Sequence, residues 1–332
     1  MPRNLIITSG DAAAERISQT GISAEILPWR DILYEGPVPL TDTPAELSAI
    51  RAGYLAAHYA QPGRDVAREF AERDRLLARH ADFDTVTLWF EHDLHDMLQL
   101  LQLLDYFATS GRKRDALRLI HTDRHLVMHT PDELLALAAN AKPAGTARLN
   151  QAREAWRCWR EPDPRAWAAL LHRPRLGLKH LWSGVLQSLG HFPIAGKGIS
   201  NVERFVIRTI AEGPASPIRL FDEFCRHCDR VHGSYMGDWS FFAMLDRLAA
   251  RPSPLIAGLD GGPFTPSAPE TSRRAWLESM PALTVLGRRV LAGDADWGEH
   301  TRIDRWVGGR HITNDHLWQY DSEDIRFIAP HP

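Results

Sequence analysis

Residues 85–105, TVTLWFEHDLHDMLQLLQLLD, join an apolar β-prone run to an amphipathic helix through consecutive ionisable residues. The run 85–90 is the strongest strand candidate in the chain. Leu94, Leu98 and Leu101 then recur at helical spacing. A strand followed at once by a helix is typical of the crossover unit of a parallel sheet. The stretch therefore predicts an α/β fold, with Glu91, His92 and Asp93 at the junction between its two elements.

Further alternation of strands and helices extends this prediction to residues 1–140. Three more β-prone runs are predicted at 4–8, 24–27 and 116–120. The predicted helices of this region and of the stretch that follows it cover about 43–60, 64–80, 131–139 and 147–160. Strands that alternate with helices in this way predict a three-layer α/β domain with a mostly parallel sheet.

The second half of the chain predicts a smaller α+β domain over residues 199–332. Ser200 and Glu203 form a capping box at the start of a helix over 201–212, and two more helices are predicted at 216–228 and 238–250. Short β-prone runs after the third helix suggest a small wing, so the pattern is winged-helix-like. A terminal hairpin is predicted at 317–328, and residues 141–198 are predicted to form a basic, Trp-rich helical connector.

Composition and charge restrict the function classes. The chain has 332 residues, is 44% hydrophobic and 24% charged, and carries a formal net charge of −3. Divided by region, the charge is −7 over 1–140, +7 over 141–198 and −3 over 199–332. Because the winged-helix-like region is acidic, DNA is a disfavoured partner, and a small-molecule ligand fits better. The distribution of charge among the three regions does not determine the oligomeric state.

The cysteine count and the absence of long apolar runs indicate a location. Three cysteines cannot build a disulfide framework, and the N-terminus has no segment of signal-peptide type. Since no apolar stretch reaches about 18 residues, no membrane partner is expected. These features together predict a cytoplasmic protein.

Polar residues follow each predicted strand of the first domain. Because the carboxyl ends of parallel strands share one edge of the sheet, and open α/β sheets bind ligands there, this convergence predicts a site. The predicted catalytic residues are Asp11, Asp31, Glu35, Glu91, His92 and Asp93. The predicted ligand-binding residues are Ser9, Gly10, Trp29, Arg30 and Asp96. His92 and Asp93 are the predicted ligands of a divalent metal, since carboxylate and imidazole suit hard or borderline cations.

Each of these residues also has a purely structural interpretation. Asp11 and Asp93 stand where helices begin, and Asp is a favoured N-cap. Arg30 could form an ion pair with Asp31 or Glu35 that only fixes the loop. Trp29 could simply cover the hydrophobic core. No Walker loop, dinucleotide fingerprint or nucleophile elbow is present in the sequence.

Two other features have alternatives of the same kind. Cys225 and Cys228 form a single CxxC, which without a second ligand pair favours a buried helix face over a zinc or redox site. The Arg/Trp stretch at 153–182 suits nucleic-acid contacts, but its tryptophans recur at helical spacing and favour a core with a solvated arginine face.

The order of the motifs resembles one known family. SGD at 9–11, LPWRDILYEGPVP at 27–39 and LWFEHDLHDMLQLLQLLD at 88–105 resemble the domain-of-unknown-function family numbered 1835. The second half resembles the usual C-terminal extension of such proteins, in KGISNVERFVIRTI, MGDWSFFAMLDRL and IDRWVGGRHI. The resemblance covers most of the chain and implies no activity, substrate or cofactor.

Three functional hypotheses follow. The first is a metal-assisted hydrolase or phosphoryl-transfer enzyme that acts on a small phosphorylated or nucleotide-like ligand at the sheet edge. The second is a ligand-sensing regulator whose winged helix binds DNA or a partner protein. The third is a scaffold in which the polar motifs only stabilise loops.

Overall fold

The computed structural model of the chain describes residues 2–59, 63–174, 177–231, 236–321, 324 and 326–330, and it divides into two compact units. The first unit contains residues 1–56, 65–185 and 308–310, and the second contains 57–64, 186–307 and 311–332. The predicted boundaries near 140 and 198 stay predictions.

The first unit has the predicted α/β architecture. Its strands are β1 (Asn4–Ser9), β2 (Glu25–Trp29), β3 (Thr85–Phe90), β4 (Leu117–His121) and β5 (Lys142–Pro143). The helices that begin in it are α1 (Gly10–Ser18), α2 (Pro44–Tyr59), α3 (Val66–Ala78), α4 (Leu94–Thr109), α5 (Pro131–Ala139), α6 (Thr146–Arg160), α7 (Arg165–Ala168) and α8 (Leu181–Leu189). A mixed α/β fold around a mainly parallel sheet is therefore confirmed.

The sheet order explains where a site can form. The strands run in the order β2-β1-β3-β4-β5, all parallel except β5, which pairs antiparallel with β4. The chain moves from β1 to one side for β2 and to the other side for β3. Such a reversal opens a crevice at the carboxyl ends of β1 and β3, where open α/β sheets bind ligands. Ser9 ends β1 at this crevice, and Glu91 follows β3.

The central strand β3 is apolar because its two faces are buried. Val86, Leu88, Trp89 and Phe90 are at most 1% exposed, as expected for a parallel strand with helices over it. Helix α4 follows and buries most of its leucines, packing chiefly against α6. The β3–α4 junction therefore places the ionisable residues between two buried elements.

The second unit is mainly helical. Its helices are α9 (Asn201–Glu212), α10 (Pro217–Val231), α11 (Asp238–Ala249), α12 (Glu270–Glu278) and α13 (Val285–Ala292). Its short strands are β6 (Ile256–Ala257), β7 (Ala282–Leu283), β8 (Asp304–Val307), β9 (Arg310–Thr313, whose first residue belongs to the first unit), β10 (Gln319–Asp321) and β11 (Arg326–Ile328). β6 pairs antiparallel with β7, and β10 pairs antiparallel with β11 where the terminal hairpin is predicted.

Helix α12 lies after the three predicted helices, in a stretch where the sequence predicts no further helix. Its Trp276 is fully buried, and the indole Nε1–H donates to Asp246 Oδ1 at 2.9 Å. Burial of one large side chain outweighs a local sequence with weak helical periodicity, since tertiary packing supplies most helix stability in proteins.

The predicted capping box holds a charged network in the second unit. Ser200 Oγ accepts from the Glu203 backbone N–H at 3.2 Å, and Glu203 Oε2 accepts from the Ser200 N–H at 2.6 Å. Arg247 and Arg305 donate to the same buried carboxylate at 3.0 and 3.1 Å. These guanidinium groups hold the pKa of Glu203 at about 2 although burial acts in the opposite direction.

The unfolding of this unit is expected to depend on pH through His191. Burial, Arg305 and Arg247 lower the pKa of His191 to about 4. The unfolded chain then binds the proton first, so the stability from neutral His191 is complete above about pH 6.5. It is lost as the pH falls toward 4, by about 1.4 kcal/mol per pH unit.

Urea unfolding of the wild type and of His191→Gln from pH 7.5 to 4.5 measures the contribution of His191 to the free energy of unfolding. The contributions of all other titrating groups cancel when the two proteins are compared at the same pH. The wild type should lose stability relative to the variant below pH 6.5. A constant difference across this range would contradict the assignment.

Candidate functional site

Glu91 connects the carboxyl edge of the sheet to the loop that follows β4. It follows β3 directly, and its side chain is buried, with 8% of the residue exposed. Its Oε1 accepts from the Leu126 backbone N–H at 2.6 Å, and its Oε2 lies 2.5 Å from His125 Nδ1. The carboxylate thus fixes the loop after β4 and sets the orientation of the His125 ring.

Two further carboxylates stand beside Glu91. Asp93 is the N-cap of α4 and accepts from the Asp96 N–H at 2.9 Å, and Asp96 accepts from the Glu91 N–H at 2.7 Å. Both aspartates are buried, and Ser9 at the end of β1 also hydrogen-bonds to Asp96. Burial and the charges of Asp93 and Glu91 raise the pKa of Asp96 well above its ordinary value. The capping interpretation of Asp93 therefore holds, but capping does not account for three carboxylates placed together.

Replacing Asp96 with Asn is expected to stabilise the metal-free protein by about 1–3 kcal/mol, the cost of a poorly compensated buried carboxylate. The amide oxygen still accepts from the Glu91 N–H, while the like charge beside Asp93 disappears. Because the pKa of Asp96 is raised in the folded state, protonation of this carboxyl stabilises the wild type as the pH falls. The difference in free energy of unfolding between the variant and the wild type should therefore become smaller toward pH 4. Urea unfolding in EDTA at pH 7.5 and 4.5 checks this, and a less stable variant at pH 7.5 would disprove it.

Four imidazole rings contact one another beside Glu91, whose side chain bonds to His125 and whose carbonyl oxygen bonds to His121. The ring centroids of His92 and His125 lie 5.0 Å apart, those of His92 and His180 lie 6.0 Å apart, and those of His121 and His180 lie 4.6 Å apart. Burial lowers the pKa of His92, although Asp93 raises it. Burial and His180 lower the pKa of His121 to about 3. Neutral imidazoles are the form that binds metals or accepts protons.

Glu91, Asp93 and His125 together can hold a metal ion. Each offers one ligand atom, and these atoms lie within 4.8 Å of one another. Atoms so spaced lie at most about 2.8 Å from a common centre, so a small side-chain rotation reaches the 2.0–2.6 Å of zinc–ligand and calcium–oxygen bonds. Glu91 Oε2 and His125 Nδ1 already lie 2.5 Å apart, so an ion bound by both side chains would take the place of the hydrogen bond between them.

Other predicted site residues lie in helix α1 and in the loop after β2. Asp11 is exposed and forms an ion pair with Arg30 at 2.6 Å. Gly10 begins α1 with φ +65°, a conformation that favours glycine. The carbonyl of Glu35 accepts from Arg51 Nη1 at 2.7 Å. The functional roles of Asp11, Arg30, Gly10 and Glu35 stay predictions.

Asp31 has a structural partner that the sequence analysis missed. The Asp31 carboxylate and the Arg51 guanidinium are both fully buried, with Arg51 Nε 2.9 Å from Asp31 Oδ1. Arg51 also donates to the carbonyl of Ile32 at 2.8 Å, and Gln99 donates to the carbonyl of Asp31. This network ties the loop after β2 to α2 and α4. It supports the interpretation of Asp31 as part of a structural ion pair, but the partner is Arg51 and not Arg30.

Trp29 is buried and lies against a cavity of about 450 Å³ within the first unit. Its indole Nε1–H donates to Gln102 at 2.9 Å, and the Arg73 guanidinium lies 4.0 Å from the ring centroid. The ring is therefore held by protein groups, as a core plug would be, and ligand stacking on it stays a prediction.

His125 and His180 are site residues that the sequence analysis did not select. His125 follows a turn after β4, and His180 precedes α8, so neither stands at a strand end. Lys179 and His180 both pair with Asp123. The available signal was the run His121-Thr122-Asp123 with His125 two residues on, which repeats the pattern of acid and imidazole after β3.

The CxxC pair and the tryptophans of the Arg/Trp stretch both contribute to hydrophobic packing. Burial raises the pKa of Cys225 to about 11 and of Cys228 to about 12, so neither is a reactive thiolate at neutral pH. His232, which follows them, lies outside the described residues. Trp156, Trp159 and Trp167 are buried, while Arg153 and Arg157 are exposed, as the core interpretation of the Arg/Trp stretch predicts.

Comparison with protein-family models finds no match to this chain, and comparison with curated protein sequences finds none either. Across the part of the chain that the structure describes, no helix is long and apolar enough to cross a membrane.

Proposed function

We propose that the first unit is a metal-dependent hydrolase or phosphoryl-transfer enzyme acting on a small phosphorylated or nucleotide-like substrate. The observation that carries the proposal is the grouping of Glu91, Asp93 and His125 at the carboxyl edge of a parallel sheet. Three buried carboxylates with neighbouring imidazoles are the donor set that a divalent cation stabilises, and Asp96 shows the electrostatic cost of their grouping without one.

The surrounding residues have matching roles in this proposal. A divalent cation supplies stabilisation of the charge that develops on phosphoryl oxygens. His92 is the proposed general base, since burial lowers its pKa and keeps it neutral near pH 7. Lys179, which is exposed and bonded to Asp123, is proposed to meet the substrate phosphate.

Hydrolysis of p-nitrophenyl phosphate and of nucleoside 5′-monophosphates by the full chain tests the proposal. The protein is stripped with EDTA and then resupplied with Zn²⁺, Mn²⁺ or Mg²⁺. Activity should require the metal, and Asp93→Asn should lower kcat/KM by at least about 100-fold. Asp82→Asn, which changes an exposed aspartate paired with Arg79, is the matched control. Turnover that survives both EDTA and Asp93→Asn would exclude the proposal.

The regulator alternative receives less support from the second unit. We propose a winged-helix-like arrangement for α9–α11 with the β6–β7 pair, interrupted by α12. Phe241, Phe242, Met244 and Leu245 of α11 belong to the core, so these side chains cannot read a DNA groove. Membership of the family numbered 1835 and a cytoplasmic location remain part of the proposal, on the sequence motifs alone.

A further inference from the structure

A cavity of about 450 Å³ lies between helices α2, α3, α4 and α6 of the first unit. Its volume is in the range of pockets that hold small organic molecules. Three aromatic rings, those of Trp29, Tyr106 and Trp156, line it together with one leucine from each of α2, α3 and α4. The three candidate metal ligands are not among its lining residues, so this cavity and the sheet-edge group are different places in the unit.

Asp105 of α4 contributes a carboxylate to the lining that has no hydrogen-bonded partner in the described part of the chain. Its side chain is 36% exposed, and burial raises its pKa, although Arg153 and Arg160 lower it. Arg153 Nε lies 3.8 Å from Asp105 Oδ1, which is beyond hydrogen-bond distance, and Arg153 is exposed, so solvent screens its charge. Asp105 is therefore partly desolvated without a donor to compensate it, and a cationic donor would stabilise its charged form.

The charged groups of the lining leave a surplus of negative charge. Three carboxylates, those of Asp42, Asp74 and Asp105, stand against one guanidinium, that of Arg160. Arg73 donates to Asp74 at 2.9 Å and so balances one of the three. Arg160 donates to a backbone carbonyl and to a threonine hydroxyl, each at 2.8 Å, so protein oxygens already occupy two of its nitrogens. The cavity thus favours a cation over an anion.

We infer that the cavity binds a small organic amine, with its aromatic body against the lining rings and its ammonium group paired with Asp105. An aromatic body suits this wall because ring pairs in edge-on or offset contact add to the free energy of burying apolar area. The same rings attract a cation that lies within about 6 Å of a ring centroid. A hydrogen bond from an ammonium group to a carboxylate is roughly twice as strong as one between neutral groups, so Asp105 is the group that selects the amine.

A more open pocket of about 490 Å³ shares Asp105, Trp156 and Arg160 with the cavity and adds the exposed Arg153 and Arg157. An anionic ligand is the alternative that these two arginines favour. Arg157 already pairs with a glutamate one turn further along the chain, and an exposed guanidinium group gains little from a single ion pair. The partly desolvated carboxylate of Asp105 is therefore the stronger determinant of ligand charge.

Three related compounds test the inference on the full chain in EDTA at neutral pH. Phenethylamine is cationic, phenethyl alcohol is neutral and hydrocinnamate is anionic, while all three carry the same phenyl body. Isothermal titration calorimetry should give phenethylamine the lowest Kd. Asp105→Asn should raise that Kd at least about tenfold and leave the Kd of phenethyl alcohol unchanged, because the alcohol does not need the charge. Asp82→Asn, which changes an exposed aspartate of the same unit, should alter neither value.

Several outcomes would overturn the inference. Tighter binding of hydrocinnamate than of phenethylamine would assign the cavity to anions, and an unchanged Kd of phenethylamine in Asp105→Asn would remove the ion pair. Binding of none of the three compounds would show that the cavity takes no such ligand. Ala78→Phe, at an exposed lining position at the end of α3, should weaken the amine and the alcohol alike, and unchanged binding there would place both compounds elsewhere. Because EDTA removes any metal, these results are independent of the proposed function, which is tested by the phosphatase assay.

Discussion

Replacement of Asp31 by Ala is expected to lower the free energy of unfolding by about 3–5 kcal/mol, because it leaves the Arg51 charge buried without its partner. Both side chains of the pair are 0% exposed. The guanidinium keeps its backbone acceptors, among them the carbonyls of Ile32 and Glu35, but these carry no compensating charge. Urea unfolding of the full chain followed by far-UV circular dichroism measures the change.

Two further variants identify the cause of the loss. The double variant Asp31→Ala/Arg51→Met should recover most of it, since a buried ion pair replaced by apolar groups is often close to neutral. Asp11→Ala removes the exposed pair with Arg30 and should cost no more than about 1 kcal/mol. If Asp31→Ala kept wild-type stability while activity fell, the carboxylate would act in catalysis and the ion-pair interpretation would be wrong.

The sequence predicts the sheet edge well because its signals are local. Four apolar runs, each followed by polar residues, become the four parallel strands, and strand ends meet wherever strands are parallel. The contact between Ser9 and Asp96 follows from the adjacency of β1 and β3. That adjacency depends on the strand order, which local patterns do not contain.

The residues that sequence reasoning missed depend on packing between distant segments. Arg51 lies on the buried stripe of α2, four residues after Leu47 and four before Leu55, and this position was the available sign of a buried cation. Nothing local connects Arg51 with Asp31, because the loop after β2 brings them together. His180 likewise reaches the site only through the segment before α8, so the rule that site residues follow strands cannot find it.

The remaining large effect concerns the metal. Zn²⁺ at a hundred times its dissociation constant is expected to raise the free energy of unfolding by about 2.7 kcal/mol, since an ion that binds only the native state stabilises it by mass action. Asp93→Asn and His125→Ala should each remove most of this gain, because each deletes one of the three atoms that lie within 4.8 Å of one another. Thermal unfolding of EDTA-treated protein with and without Zn²⁺ measures the gain, with His58→Ala, which changes an exposed histidine on α2, as the control.

Asp96→Asn separates metal binding from simple capping. The variant should be more stable than the wild type in EDTA in either case. If a metal occupies the group, the variant should also gain less stability from Zn²⁺, because it has already lost the repulsion that the ion would relieve. If Asp93 and Glu91 only fix loops, Zn²⁺ should stabilise none of the proteins, and Asp93→Asn should behave alike with and without it. Their hydrogen bonds to Asp96 and Leu126 would then be the whole reason for burying them. The comparison decides between the two, since a cap satisfies backbone donors but leaves the mutual repulsion of three buried carboxylates uncompensated.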